Sequence, residues 1–132
     1  MSHTDDPQEH QLLLERIVRE FKPHTALIPS LADHHGDRRQ AHRISRAAVG
    51  DVPTVLAYET ASSTPEFHPT RFVDIGPHLT KKLELLTAYR GGGRPDLEEA
   101  YVLAATRRWG RHLDFRVAEA FEVLRDGGTS IA

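Results

Sequence analysis

Two short apolar runs separated by an amphipathic stretch constrain the fold of this chain more than any other feature. Residues 25–28 (TALI) and 52–58 (VPTVLAY) have the length and composition of buried strands. Residues 38–49 between them follow a helical pattern that ends at Gly50. Strand, helix and strand in this order predict a βαβ unit with parallel strands and a right-handed crossover. Because the run 25–28 is apolar on both faces, we expect a central strand there.

Further helical and strand patterns lie on both sides of this unit. Asp6 and Pro7 are typical of a helix start, and the first helix ends before Pro23. Its predicted apolar positions are Leu13, Ile17, Val18 and Phe21, and those of the second helix are Ala41, Ile44, Ala47 and Ala48. A third strand is predicted at 72–75 and two further helices at 77–90 and 95–108. Residues 115–125 fit either a helix or an edge strand.

The expected architecture is therefore a single α/β domain covering residues 1–132. We predict a Rossmann-like, three-layer arrangement with a mainly parallel sheet of three or four strands. The pattern contains no internal repeat and no linker long enough to divide the chain.

Composition excludes several classes of function. The chain has no cysteine, so disulfides and thiolate metal sites are excluded. Its formal charge of −2 does not favour nucleic acid, and we interpret Arg39, Arg43 and Arg46 as the solvated face of the second helix. No apolar run reaches the roughly 20 residues that a membrane span needs. Without a signal-peptide pattern at the N-terminus, a cytoplasmic location is expected.

Polar side chains follow both strands of the predicted βαβ unit. Asp33, His34, His35 and Asp37 come directly after the first strand, and Glu59 ends the second. In open parallel sheets, ligands bind outside the carboxyl ends of the strands, so these side chains are expected to meet at one rim. Imidazole and carboxylate groups there can transfer protons or bind a metal.

The spacing of the ligand-type residues argues against a zinc site made by this chain alone. His34 and His35 diverge if the loop is extended. His35 and His42 would be about 10 Å apart along one helix. The position three residues after His35 is well placed for a further ligand, but it holds Arg38, whose guanidinium has no lone pair to donate. We therefore predict no metal-ligating residue.

Several stretches between residues 22 and 125 resemble the C-terminal portion of the LmbE/PIG-L zinc-dependent N-deacetylases. Their order and spacing over about a hundred positions carry the resemblance. The matching stretches are 22–29 (KPHTALIP), 33–39 (DHHGDRR), 55–59 (VLAYE), 67–75 (FHPTRFVDI), 81–90 (KKLELLTAYR) and 118–121 (AEAF).

The resemblance implies a Rossmann-like fold and hydrolysis of acetamides on amino sugars by zinc-bound water. The family's second motif, His-x-Asp-His, here reads His35-Gly36-Asp37-Arg38, so His35 matches the oxyanion-stabilising His and Arg38 replaces a ligand. Gly91-Gly92 stands where the family has Ser-Gln. The family's first motif, His-Pro-Asp-Asp at the end of a buried strand, has no counterpart, since His3 lies too near the N-terminus. The chain thus matches the fold without its N-terminal half.

These expectations lead to one functional hypothesis and one alternative. The hypothesis is that the chain is of the amino-sugar N-deacetylase lineage and is incomplete or inactive by itself. Its catalytic residues would be His35 and Asp37. Asp33, His34, Arg38 and Glu59 would contact an amino-sugar or glycoside ligand. The alternative is a non-catalytic module in which Arg38, His34 and His35 hold an anionic or sugar ligand. A second copy or a partner chain would cover the exposed sheet edge.

Overall fold

A computed structural model of the protein describes residues 6–88 and 99–127. The elements in chain order are α1 (Pro7–Phe21), β1 (Thr25–Pro29), α2 (Gly36–Ala48), β2 (Thr54–Tyr58), β3 (Arg71–Asp74), α3 (Leu79–Thr87), α4 (Glu99–Gly110) and β4 (Ala118–Asp126). Short 3-10 turns at Gly76–His78 and Arg111–Leu113 follow β3 and α4. The predicted α/β class is confirmed.

The four strands form one sheet in the order β1-β2-β4-β3. β1 and β2 run parallel, with Leu27 opposite Leu56, which confirms the βαβ unit. β3 and β4 run antiparallel, with Phe72 opposite Ala120. The sheet is therefore mixed rather than mainly parallel, because β4 lies beside β3 in the opposite direction.

The prediction that the first strand is central was wrong. Among the described strands, β1 pairs only with β2 and forms one edge of the sheet. Ile28 is 4% exposed, whereas its neighbour Leu27 is 56% exposed. Successive side chains of a strand point to opposite faces, so only one face of β1 is packed. An apolar run indicates a strand, but it does not specify how many strands lie beside it.

Residues 115–125, which fit either a helix or an edge strand by sequence, contain most of β4. This strand is not at the edge of the sheet. β4 lies between β2 and β3 and is nine residues long. Ala118 and Ala120 are buried on either side of the half-buried Glu119. This alternation has the period of a strand, which the short helical pattern at 118–122 had obscured.

The chain divides into two compact units. Among the described residues, unit 1 comprises 6–68 and 122–127, and unit 2 comprises 69–88 and 99–121. The core of unit 1 consists of Ile28, Val49, Val52, Val55 and Ala57, with Val18, Ala26 and Leu124 packed against it. Val18 of α1 and Val49 at the end of α2 thus pack against the sheet face that carries Ile28. The predicted third layer and the single-domain organisation stay predictions.

The first helix begins where the sequence predicts, but its apolar stripe is exposed. The Asp6 carboxylate accepts a hydrogen bond of 2.9 Å from the Gln8 amide and caps α1. Leu13, Ile17 and Phe21 are 56%, 40% and 77% exposed, and α1 has no buried residue. The helix packs through Val18 instead.

The second helix differs from the prediction in its first residue and in the face that it buries. It begins at Gly36, with His35 as the N-cap residue, two residues earlier than expected. Ala41 and Ala47 are exposed, contrary to the prediction, whereas His42 is 3% exposed. The apolar pattern was misleading because a histidine whose ring finds a hydrogen-bond partner can occupy a buried position.

Unit 2 packs around aromatic rings. The ring of Phe72 lies 6.0 Å from that of Trp109 and 5.0 Å from that of His112. Lys82 of α3 forms an ion pair with Glu119 of β4. The ends of the predicted third and fourth helices, at 89–90 and 95–98, and the substituted Gly91-Gly92 lie outside the described residues. None of the described helices combines the length and hydrophobicity that a bilayer crossing requires.

Candidate functional site

The predicted rim lies in unit 1, where β1 and β2 end. Because these strands are parallel and paired from Thr25 to Pro29, both end at the same edge of the sheet. The Ser30 amide donates a hydrogen bond of 3.0 Å to the Tyr58 carbonyl immediately after the last strand residues. This is the edge at which α/β folds bind ligands.

The two loops that leave this edge are hydrogen-bonded to each other. Asp33 and Ser63 form an isolated antiparallel bridge. The His34 amide donates to the Ser62 carbonyl over 2.9 Å, and the Thr64 amide donates to the Ala32 carbonyl over 3.0 Å. The segment 32–34 is therefore attached to the segment 62–64 through the backbone, which the sequence analysis did not predict.

The Asp33 carboxylate fastens the same two loops with its side chain. Its Oδ1 accepts hydrogen bonds from the Ser62 hydroxyl at 2.6 Å and from the His35 amide at 2.8 Å. Its Oδ2 accepts one from the Thr60 hydroxyl at 2.5 Å. Asp33 is only 3% exposed, so its carboxylate is buried between the two loops that it connects. Its predicted contact with a ligand stays a prediction.

This environment favours the charged form of Asp33. Burial alone would raise the pKa of the carboxyl group. The hydrogen bonds from Ser62, Thr60 and His35, together with the positive charge of Arg38, outweigh burial and hold the pKa of Asp33 below its ordinary value. The group is therefore a carboxylate at neutral pH and acts as an acceptor rather than as a proton donor.

Two arginines at the start of α2 contact the same loops. The half-buried Arg38 donates a hydrogen bond of 3.2 Å from Nη1 to the Ser62 hydroxyl. Arg39 donates from Nη1 to the carbonyl of Asp33 at 2.8 Å and to that of His34 at 2.9 Å. The interpretation of Arg39 as part of a solvated face was therefore wrong, because its guanidinium holds the loop backbone. Arg43 and Arg46 are exposed, as expected.

The remaining predicted site residues lie at or beside this pair of loops. His35 is the N-cap of α2, Asp37 is in its first turn, and both are exposed, as is His34. Glu59 follows β2 directly and is half-buried. The loops thus bring these residues to one edge, and their contacts with a ligand stay predictions.

Glu122 is a rim residue that the sequence analysis missed. Its Oε1 accepts a hydrogen bond of 2.6 Å from the Ser30 hydroxyl, and its Oε2 accepts one of 3.0 Å from the His68 amide. Ser30 is fully buried, and its Oγ also accepts a hydrogen bond of 3.0 Å from the Ala32 amide. Glu122 therefore fastens the start of one loop and the far end of the other. Because residues 115–125 fit either a helix or an edge strand by sequence, the side chain of Glu122 could not be placed at this edge.

The residues of this edge do not form a metal site on their own. Within 6–88 and 99–127, no group of three or more His, Asp or Glu side chains is placed to hold a metal ion. Arg38 occupies the position at which the family resemblance implies a ligand, and a guanidinium has no lone pair to donate.

Solved structures that share this fold include the two that follow. The conserved protein TT1542 from Thermus thermophilus matches with a TM-score of 0.76 and 26% identity over 93% of this chain and 61% of that one. GalB, the 4-carboxy-2-hydroxymuconate hydratase from Pseudomonas putida KT2440, matches with a TM-score of 0.75 and 21% identity over 98% and 63%. The chain thus spans somewhat less than two thirds of each. No family model matches the sequence, and no curated protein matches it either.

Proposed function

We propose that this chain carries part of the active site of an amide hydrolase of the amino-sugar N-deacetylase kind that its sequence resembles. The observation that supports this most is the pair of polar loops fastened by Asp33 at the carboxyl ends of two parallel strands. The similarity to GalB adds weaker support, since a hydratase also adds water to its substrate. In this proposal the two loops form one wall of the ligand site.

The candidate residues have distinct roles under this proposal. His35 is exposed at the N-cap of α2, where a ring N–H and the helix N-terminus would both favour a developing oxyanion. Asp37, in the first turn, would orient the ring or its neighbours. His34, Arg38 and Glu59 would contact the polar groups of the sugar.

The family's zinc does not fit the residues present. No set of three ligands exists among the described residues, and Arg38 donates to Ser62 at the position where a ligand is implied. We therefore assign no reaction step to a metal. Under the proposal, the parts of the active site that this chain does not supply come from additional polypeptide. That reading is in keeping with the 61% and 63% coverage of the two similar chains.

A ligand titration followed by NMR tests the proposed site. N-acetylglucosamine added to the labelled chain is expected to shift the amide signals of residues 33–38 and 59–62. His35→Ala is expected to weaken binding about tenfold, which is typical of losing one hydrogen bond to a ligand. His24→Ala, an exposed histidine beyond the other end of β1, is the matched control. Shifts confined to other parts of the chain would contradict the proposal.

The same titration with citrate distinguishes the class of ligand. The substrate in the name of GalB, 4-carboxy-2-hydroxymuconate, carries several carboxylates; for such a ligand Arg38 provides a cation, and His34 and His35 provide N–H donors. If citrate shifts the loop signals and N-acetylglucosamine does not, the site binds an anionic ligand, and the non-catalytic alternative is favoured over the deacetylase proposal.

A second candidate function, assembly with another polypeptide, is favoured by the exposed apolar surface of α1 and β1. Leu13, Ile17 and Phe21 are spaced four residues apart along one side of α1. β1 is an edge strand without a charged residue, and unprotected edges invite pairing.

Self-association tests this second candidate. We expect the chain to form dimers or larger species as concentration rises, because association would remove the apolar side chains of Leu13, Ile17 and Phe21 from water. Ile17→Lys is expected to shift the apparent mass toward the monomer, and Arg19→Lys, on an exposed polar position of the same helix, to leave it unchanged. Light scattering that gives a monomer at every concentration would count against self-assembly.

A further inference from the structure

His42 is a buried titratable residue to which the proposed function assigns no role. It lies on α2 with 3% of its surface exposed. Its Nδ1 is 2.8 Å from the carbonyl oxygen of Pro29, the last residue of β1. A carbonyl oxygen can only accept, so Nδ1 must carry the proton. The ring therefore has a defined orientation and, when neutral, a defined tautomer.

The hydrogen bond from His42 satisfies a group on the outer edge of β1. Ser30 donates its amide to Tyr58, and His24 accepts from the Thr54 amide, so the backbone groups of the even-numbered residues face β2. By alternation, the backbone groups of Leu27 and Pro29 face away from β2, on the side where the described sheet has no further strand. His42 thus binds the last outward-facing carbonyl of β1.

The next residue is held from a different element. The Ser30 hydroxyl donates to Glu122 of β4 over 2.6 Å and accepts from the Ala32 amide over 3.0 Å. Two successive residues, Pro29 and Ser30, are therefore fixed by α2 and by β4, respectively. Three residues later the chain reaches Asp33, whose carboxylate holds the two rim loops.

We infer that His42 is a positioning residue, which acts through Pro29 to fix the direction in which the loop 31–35 leaves the sheet, with Glu122 as its counterpart on Ser30. This inference rests on the proposed function in one respect only, namely that the loop serves to contact a ligand. The hydrogen bond and its effect on loop order are independent of any ligand.

Three variants and one control test this inference. His42→Leu removes the donor at similar volume. His42→Asn keeps a donor, because the Asn side-chain amide nitrogen reaches about the position of Nδ1. Glu122→Gln lacks one of the two acceptor oxygens needed by Ser30 and His68. Gln40→Leu, at an exposed position of the same helix, is the control.

Amide hydrogen exchange distinguishes a local effect on the loop from a general contribution of His42 to stability. In His42→Leu the Ala32 and His35 amides are expected to exchange about tenfold faster, measured relative to the β2 amides of Val55 and Ala57. A general loss of stability would accelerate all of them together. His42→Asn and Gln40→Leu are expected to retain the wild-type ratio, and Glu122→Gln to raise it.

Nitrogen NMR of the wild-type protein gives a second, independent result. The neutral His42 ring is expected in the Nδ1–H form, with a coupling across the hydrogen bond to the Pro29 carbonyl. An Nε2–H ring would overturn the inference. So would an unchanged exchange ratio in His42→Leu or failure of His42→Asn to restore it. If the Leu variant does not fold, the Asn variant and the wild-type ring still decide.

Binding of N-acetylglucosamine separates this inference from the proposed function. If the exchange results hold and the sugar does not bind, the proposed function fails and the positioning role stands. If both hold, His42→Leu is expected to weaken sugar binding about tenfold and His42→Asn to restore it.

Discussion

Replacing Asp33 by alanine is expected to lower the free energy of unfolding by about 3 kcal/mol, because the change leaves three donors without their buried carboxylate acceptor. The donors are the hydroxyls of Ser62 and Thr60 and the amide of His35. Asp51→Ala, at an exposed aspartate in the turn before β2, is the matched control and should change stability by less than about 0.5 kcal/mol. Urea denaturation of both variants measures the difference.

The pH dependence of the same site gives a stricter test. The pKa of Asp33 is lower in the folded chain than its unfolded value of about 3.9. A group with a depressed folded pKa contributes stability above its unfolded pKa and loses it as pH falls through the folded pKa. The difference in stability between wild type and Asp33→Asn should therefore be constant near neutrality and shrink below about pH 4. A difference that does not depend on pH would contradict an ionised, hydrogen-bonded Asp33.

Ile28→Ala is expected to lower the free energy of unfolding by about 3 kcal/mol, whereas Leu27→Ala on the same strand should cost less than about 1 kcal/mol. Ile28 is 4% exposed and belongs to the core of unit 1, while Leu27 is 56% exposed on the opposite face of β1. The two substitutions remove similar volumes from adjacent positions, so each serves as the other's control. Denaturation of dilute protein measures both.

Equal costs for Leu27→Ala and Ile28→Ala would mean that both faces of β1 are covered. That outcome would contradict the exposure of Leu27 in the isolated chain. If the cost at Leu27 grows with protein concentration, then self-association covers this face, as the second candidate function requires.

The order of helices and strands could be predicted because local signals specify it. Asp6 and Pro7 start α1, the apolar run at Val55 forms β2, and Gly50 follows the end of α2, all as the sequence indicates. Strand neighbours could not be predicted in the same way, since they depend on contacts between distant segments. Leu27 shows the limit: its apolar character suggested burial, but no described strand or helix layer covers it.

The site was only partly predictable for a related reason. Asp33 stood out because a carboxylate in the loop that follows an apolar strand is a recognisable pattern. Its partners Thr60 and Ser62 lie in a polar loop, where a hydroxyl that binds a carboxylate has no sequence pattern to distinguish it from a solvated one. Glu122 could have been found had the alternation at Ala118 and Ala120 been taken as a strand, since the site also depends on β4.

His42 was considered only as a metal ligand, and its spacing from His35 argued against that role. The structure gives it a different partner, the carbonyl of Pro29. A buried histidine is difficult to recognise from sequence because the residue is more often exposed or half-exposed than buried. The amphipathic pattern of α2 therefore suggested Ala41 and Ala47 for the inner face, and both are exposed.

The rim at the ends of β1 and β2 provides polar groups for a ligand, but its described residues include no set of three side chains placed to bind a divalent ion. The most direct test is the zinc content of the purified wild-type chain after dialysis against trace zinc, measured by mass spectrometry, with Arg38→His analysed in parallel. We expect well below one equivalent in the wild type and a higher content in the variant, because a His at position 38 adds a ligand three residues after His35. One tightly held zinc per wild-type chain would show that this chain binds a divalent ion unaided.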